Sequence, residues 1–335
     1  MNVIDRTGAF KSARSLVRGE GLTKAFPGRG SLFSARQKIL AVRGVDITVG
    51  QGEAVGVVGE SGCGKSTLGR LLLQLLPLTD GRVLFDGDDI SGLKGAAMRA
   101  MRRRMQLVFQ DPYGSLDPRR SIGAQIADGI RIHRLAGRAE IGERVNGLLR
   151  QVGLDPGQAQ RLPHEFSGGQ RQRIAIARAL STAPEFIVAD EPVSALDVSI
   201  QAQVVNLLAD LRQELGLALL FISHDLHVVR HLCDRVVVMY LGRVVEEGAA
   251  QDVFQAPAHP YTRALIGATP SLRQKPGSIA ALSGEIPSVA APPSGCVFRT
   301  RCPMAQPACA DAVPELAPLP GGHQRRVACW RAGEI

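Results

Sequence analysis

Residues 54–67 read AVGVVGESGCGKST, an apolar run followed by a glycine-rich turn that ends in Lys65, Ser66 and Thr67. The pattern G-x-x-x-x-G-K-[ST] falls directly after a strand expected over Val55–Val58 and before an apolar helix expected over Leu68–Leu76, which is the context of a phosphate-binding loop. Gly59, Gly62 and Gly64, with Ser61 and Cys63 between them, let the backbone turn tightly so that its N–H groups face a phosphate, with a helix N-terminus behind them. Lys65 supplies a point charge for the outer phosphates. Ser66 offers a hydroxyl to Mg²⁺, which neutralises charge on a transferred phosphoryl group. Cys63 reads as a small filler in the loop, not as a nucleophile.

Two further strands are expected to deliver polar groups at their carboxyl ends, where ligands gather in open α/β sheets. FIVADEP, residues 186–192, brings two adjacent carboxylates there. Asp190 is placed to hold the hydration shell of Mg²⁺ and Glu191 to polarise an attacking water as general base. FISHD, residues 221–225, sets His224 after a third strand, Ala218–Ile222, within reach of a γ-phosphate. Gln110 ends a strand over Met105–Phe109 and can reach Mg²⁺ or the water. A second glycine-rich helix start, FSGGQRQR at residues 166–173, opens a helix over Ile174–Leu180 and is able to receive phosphate oxygens. Two phosphate grips about a hundred residues apart, with one lysine-containing loop, make sense if each completes a site begun by another subunit.

Around these motifs the chain alternates strand-like and helix-like segments, the pattern of an α/β domain with a mainly parallel sheet. Residues 121–184 carry helical periodicity and little strand signal, so a helical subdomain is expected inside the sheet order. After Gln255 the texture changes to dense Pro and Gly, and four of the six cysteines lie between Cys296 and Cys329. The expected division is therefore 20–255 and 256–335. Its 335 residues suffice for one large unit and a smaller appendage. Apolar runs such as Leu217–Ile222 fall far short of the ~18 residues of a membrane span. The first twenty residues lack a secretory apolar segment and read as a short cytoplasmic lead-in. A net charge of +9 comes with only 4% aromatic residues, too few for base-stacking platforms, and the basic run at Arg99 and Arg102–Arg104 reads as a solvated helix face. No nucleic-acid partner is expected.

Together these motifs resemble the ABC ATPase family: a Walker A loop at Gly59–Thr67, the Q-loop Gln110, the signature Ser167, Gly168, Gly169 and Gln170, a Walker B strand at Ile187–Asp190, a D-loop ending at Asp197, and His224. The resemblance covers about residues 21–250 and implies a P-loop ABC ATPase cassette that binds ATP and Mg²⁺. It further implies a head-to-tail dimer in which Ser167 and Gly169 face the γ-phosphate held by the partner's loop, with Asp197 near the joint. An aromatic upstream of the loop would stack on adenine; Phe26 in GLTKAF (residues 21–26) looks like that position, with Phe33 as competitor.

The tail segments HPYTRAL (259–265), GEIP (284–287) and PPSGCVFRTRC (292–302), with QDPYGSLDP (110–118), resemble ATPases serving dipeptide, oligopeptide and nickel importers. That branch implies an ATP-hydrolysing motor for peptides, with nickel or another metal chelate as the alternative cargo and a soluble non-transport ATPase as the remaining one. Its partners would be two transmembrane permease subunits, a second ATPase subunit and, indirectly, an extracytoplasmic substrate-binding protein, at the cytoplasmic face of the membrane. Cys296, Cys302, Cys309 and Cys329 are spaced unlike the close pairs of structural zinc sites. Reducing conditions argue against disulfides. A 4Fe-4S cluster, to which the branch resemblance points, zinc and free thiols are the three readings. Cys233 reads as a core residue.

Overall fold

A computed structural model describes residues 15–28, 38–268, 284–319 and 325–334. Twelve strands form two sheets. The smaller is antiparallel, in the order β2 (Lys38–Gly50), β1 (Ser15–Pro27), β4 (Asp80–Phe85), β5 (Asp88–Asp89). The larger runs β11 (Ala317–Pro318), β12 (Arg326–Val327), β10 (Arg243–Ala249), β9 (Arg235–Tyr240), β3 (Ala54–Val58), β8 (Ala218–Ile222), β7 (Phe186–Asp190), β6 (Met105–Val108). Its five strands from β9 to β6 are parallel, and β10, β12 and β11 add antiparallel partners at one edge.

The central parallel strands β3 and β8 are apolar throughout and fully buried because both of their faces are covered. Alternation then assigns each side chain to one of two cores. Val55, Val57, Val188, Leu220 and Ile222 pack with α1 (Lys65–Leu72) and the smaller sheet through Leu22, Val83 and Phe85. Ala54, Val58, Ile187, Ala189, Leu219 and Phe221 face the opposite core. Truncating a side chain such as Phe221 to Ala there would cost about 3–5 kcal/mol.

Between β6 and β7 the chain is helical: α3 (Pro112–Ser115), α4 (Ile122–Ile132), α5 (Ile141–Gln151) and α6 (Gly168–Leu180) follow α2 (Gly95–Arg104). Local chemistry sets their starts. Asp111 accepts from Tyr113 and Gly114 N–H to open α3, and Ser121 from Ala124 N–H to open α4. Beyond β7 come α7 (Val198–Leu215), stopped by left-handed Gly216, and α8 (Leu226–Leu232), opened by Asp225. α9 (Ala250–Gln255), α10 (Pro260–Gly267) and α11 (Ala308–Asp311) complete the helices of the described residues. No helix among those residues is long and apolar enough to cross a membrane.

Several expectations shift. The lead-in is strand from Ser15 onward, because Leu16 and Val17 are buried against the smaller sheet's core. Helix α1 begins at Lys65 itself and ends at Leu72, since Gln74 takes a left-handed turn before Pro77. Helix α6 starts at Gly168, not Ile174, because a capping box fixes its first turn. Phe109, expected to close β6, is 40% exposed just past it. The region after residue 255 contributes β11 and β12, which extend the large sheet antiparallel beside β10. Residues 1–14 and Phe33 lie outside the described residues.

Candidate functional site

The phosphate-binding loop spans the gap between the carboxyl end of β3 and α1. Gly64 caps α1 with φ of 106°, and no side chain among the described residues caps the helix. A Cβ at Gly64 would stand 2.3 Å from the carbonyl oxygen of Ala41, so both conformation and space demand glycine. Lys65 is buried and its Nζ donates to the carbonyls of Gly59 and Glu60 at 2.8 and 3.0 Å, drawing it over the loop. Cys63 is buried, and burial, ahead of the opposing pull of Lys65, raises its thiol pKa, as suits a filler. Gly59, Ser61 and Gly62 lie in the turn between β3 and α1, and Thr67 in the first turn of α1.

Behind Lys65, Ser66 Oγ donates to Asp190 Oδ1 at 2.6 Å. Asp190 is buried at the end of β7; burial lifts its pKa, against the hydrogen bond from Ser66 and the charge of Arg70, whose guanidinium lies 3.7 Å from Oδ2. A hydroxyl and a carboxylate side by side are oxygen donors of the kind Mg²⁺ takes.

Glu191 follows with φ of 47°, a left-handed backbone that is strained for a side-chain-bearing residue. Its N–H donates to Ile222 O at 2.9 Å, so the neighbouring strand holds the strained turn. Its carboxylate gathers the other two candidates. Gln110 Nε2 donates to Glu191 Oε2 at 3.1 Å, and His224 Nδ1 lies 3.3 Å from the same oxygen. Glu191 is 16% exposed at its side chain and His224 61%, so a sheltered carboxylate stands behind an open histidine. No hydrogen bond joins Gln110 to Ser66 or Asp190 among the described residues, so its place here is with the Glu191 carboxylate.

The signature lies elsewhere. Ser167 caps α6, its Oγ accepting from Gln170 N–H at 3.3 Å while Gln170 Oε1 accepts from Ser167 N–H at 3.0 Å. A Cβ on Gly169 would come 2.3 Å from Ile200, so that glycine, beside Gly168, lets α6 and α7 approach. Among the described residues no hydrogen bond or ion pair joins residues 167–170 to the phosphate loop. Asp197 is exposed at the start of α7 and its side chain does not cap that helix. Phe26 is half-buried on β1, with Lys24 Nζ 5.3 Å from its ring centre.

The tail cysteines are all free and partly exposed. Burial, then the charges of Cys309 and Cys302, raises the Cys296 thiol; Cys329 is pushed up to about 11 by burial with Cys296, Cys302 and Cys309 contributing. The four therefore lie within electrostatic reach of one another. Yet among the described residues no three His, Cys, Asp or Glu side chains are grouped to hold a metal ion, so the metal site expected at Cys296, Cys302, Cys309 and Cys329, a 4Fe-4S cluster or zinc, finds no support in the geometry. Cys233 is buried in the core and burial raises its thiol strongly.

Sequence reasoning passed over Glu60, whose amide and carboxylate are both held by residues from beyond α9. Tyr261 Oη accepts from Glu60 N–H at 2.8 Å, and Arg301 pairs with both Glu60 carboxylate oxygens at 2.7 and 3.1 Å. Tyr261 and Arg301 lay in the quoted tail segments, but nothing in their spacing pointed back to the loop.

Comparison with known proteins gives the family. Residues 42–194 match the family described as ABC transporter, and residues 245–309 match the oligopeptide/dipeptide transporter C-terminal region. A Brucella ovis protein named for peptide import and ATP binding is 54% identical over 317 residues, 94% of this chain and 98% of that protein. The oligopeptide transport ATP-binding protein OppF of Escherichia coli is 51% identical over 92% of each chain. Among solved structures, cbiO1 of Clostridium perfringens, part of the transporter complex cbiONQ, aligns with a TM-score of 0.63 at 29% identity, covering 72% of this chain and 92% of its own. The dimeric ATP-binding cassette MJ0796 with ADP and Pi aligns at 0.62 and 30%, covering 70% and 98%.

Proposed function

The chain belongs to the ATP-binding proteins of ABC transporters, in the branch with the oligopeptide/dipeptide C-terminal region, and from that premise we propose that it is the ATP-hydrolysing motor of a peptide importer. One observation carries the hydrolytic part: Gln110 and His224 converge on Glu191, next to the Ser66–Asp190 pair and Lys65. Peptide is favoured over nickel because the relatives are named for peptide and oligopeptide transport.

ATP lies with its β- and γ-phosphates along the loop N–H groups, and Lys65 turns from the loop carbonyls to the phosphate oxygens. Ser66 and Asp190 would hold Mg²⁺, which when bound would supply charge neutralisation for the phosphoryl oxygens. Gln110 and Glu191 orient a water in line with the γ-phosphorus. Its oxygen forms the new P–O bond as the bond to the ADP oxygen breaks, and Glu191 accepts the proton. His224 donates to a γ-oxygen. Phe26 stacks on adenine.

The separation of residues 167–170 from the loop supports an arrangement in which Ser167, Gly168, Gly169 and Gln170 serve a partner subunit's nucleotide, with exposed Asp197 at the joint; MJ0796 is dimeric with ADP and Pi. In this reading residues 20–255 form the motor and 256–335 the extension, on the cytoplasmic face beneath two permease subunits fed by a substrate-binding protein. For the four tail cysteines, a 4Fe-4S cluster rests on donor type and family resemblance alone, four free thiols that are not grouped around a metal position among the described residues. Iron and acid-labile sulfide in an anaerobic preparation support it, and a colourless, iron-free protein sinks it.

Purifying the chain from solubilised membranes tests the importer. Co-recovery of two polytopic permease subunits and a second ATPase supports it. Recovery only with ribosomes or nucleic acid overturns transport and leaves the ATPase chemistry standing.

A further inference from the structure

Glu60 is the second residue of the phosphate loop, and three of its groups are engaged at once. Its carbonyl accepts from Lys65 at 3.0 Å, inside the loop. Its amide donates to Tyr261 Oη at 2.8 Å, and its carboxylate takes a two-pronged pair from Arg301 at 2.7 and 3.1 Å. The last two partners sit 201 and 241 positions later in the chain, both in the extension.

That grip is braced. Arg301 is 4% exposed at its side chain and also reaches Tyr240 Oη at 3.2 Å. The Tyr240 ring lies 4.7 Å from that of Tyr261 and 5.3 Å, edge-on, from that of Phe298. Tyr261 and Phe298 are themselves 5.4 Å apart, so the clamp is rooted in a buried aromatic cluster shared by β9 and the extension. A planar guanidinium in two-point contact fixes orientation as well as distance. The affinity of a phosphate loop depends on where its successive N–H groups point. Fixing the residue at the loop's entrance by amide and carboxylate fixes that direction.

We propose that Arg301 and Tyr261 are positioning residues for ATP: the extension holds the phosphate loop in its nucleotide-accepting shape through Glu60. This rests on the ATP-site reading above. It deepens that reading by giving the extension a task in nucleotide affinity.

The test is equilibrium binding of a fluorescent ATP analogue with Mg²⁺ to the full-length chain, with phosphate release at saturating ATP and thermal unfolding measured alongside. Arg301→Gln and Glu60→Gln are each expected to weaken binding about tenfold, with the double variant no weaker than the weaker single, because both remove one contact. Arg301→Lys recovers part of the loss, and turnover at saturating ATP stays within about twofold. Tyr261→Phe removes only a hydroxyl, and should weaken binding in the same direction even if Arg301→Gln fails to fold. Singles that melt lower but bind within twofold of the parent would show packing alone and overturn the proposal. So would losses that multiply in the double variant. Lys65→Ala separates the two readings: if it too binds as the parent does, the ATP site itself is misplaced.

Discussion

On the proposed mechanism Glu191 is the residue on which the chemistry turns. A glutamate at φ of 47° is strained, and the strain is held by a hydrogen bond to Ile222 on the adjacent strand. What the turn achieves is a carboxylate reachable by both Gln110 and His224. Replacing Glu191 with Gln keeps shape and removes the base. Phosphate release should fall on the order of 10²–10⁴-fold while ATP binding persists; unchanged turnover would move the base elsewhere. Gly64→Ala should act the other way, on binding. The added Cβ meets the Ala41 carbonyl at 2.3 Å, and backbone cannot yield as a side-chain tip does. ATP affinity should drop by at least about tenfold with the fold retained, as read by nucleotide binding and circular dichroism.

At the scale of elements, helix starts explain both what the chain builds and how it responds to acid. Ser167 and Gln170 cap α6 reciprocally, and His259 caps α10 by accepting the Tyr261 N–H at Nδ1, 3.0 Å away. His259 is fully buried, and burial lowers its pKa from 6.5 to about 3. Between those values the unfolded chain takes a proton that the folded chain refuses. Stability from this group is therefore complete above about pH 6.5 and is lost as pH falls toward 3, by up to ~1.4 kcal/mol per pH unit. His259→Asn puts a capping oxygen in place of Nδ1 and removes the titration. Urea midpoints measured from pH 7 to pH 5 should fall less steeply in the variant than in the parent, and parallel slopes would assign the acid sensitivity to other groups.

At the scale of the whole molecule, the extension is bound to the motor by buried charge. Glu246 on β10 is fully buried, accepts from the Ala258 and His259 amides at 2.9 Å, and pairs with Arg325 at 2.5 Å. Arg325 also donates to the Ala256 carbonyl. Arg325→Met should cost about 3–5 kcal/mol, because it strands a buried carboxylate, and adding Glu246→Gln should return part of that loss in urea unfolding. This arrangement also marks how far the sequence could be read. The parallel core was legible because buried strands are continuously apolar, and the candidate site because each strand's polar end is written next to its strand, as with Asp190, Glu191 and His224. Three-dimensional pairings between distant segments were not. Glu60 with Arg301 and Glu246 with Arg325 look like ordinary surface charges in one dimension, and β11 and β12 are too short to show a period. The start of α6 was misplaced because its glycines disfavour helix, whereas the capping box of Ser167 and Gln170 overrides that preference.

The distance along the chain between Glu246 and Arg325 has a consequence in time. The two are separated by 79 residues. At a synthesis rate of about 5–20 residues per second, roughly 4 to 16 s pass after β10 emerges before its counter-ion exists. During that interval the nascent sheet carries a carboxylate it cannot neutralise, so β10 is expected to dock last, and the motor to acquire its final edge only when translation has passed Arg325.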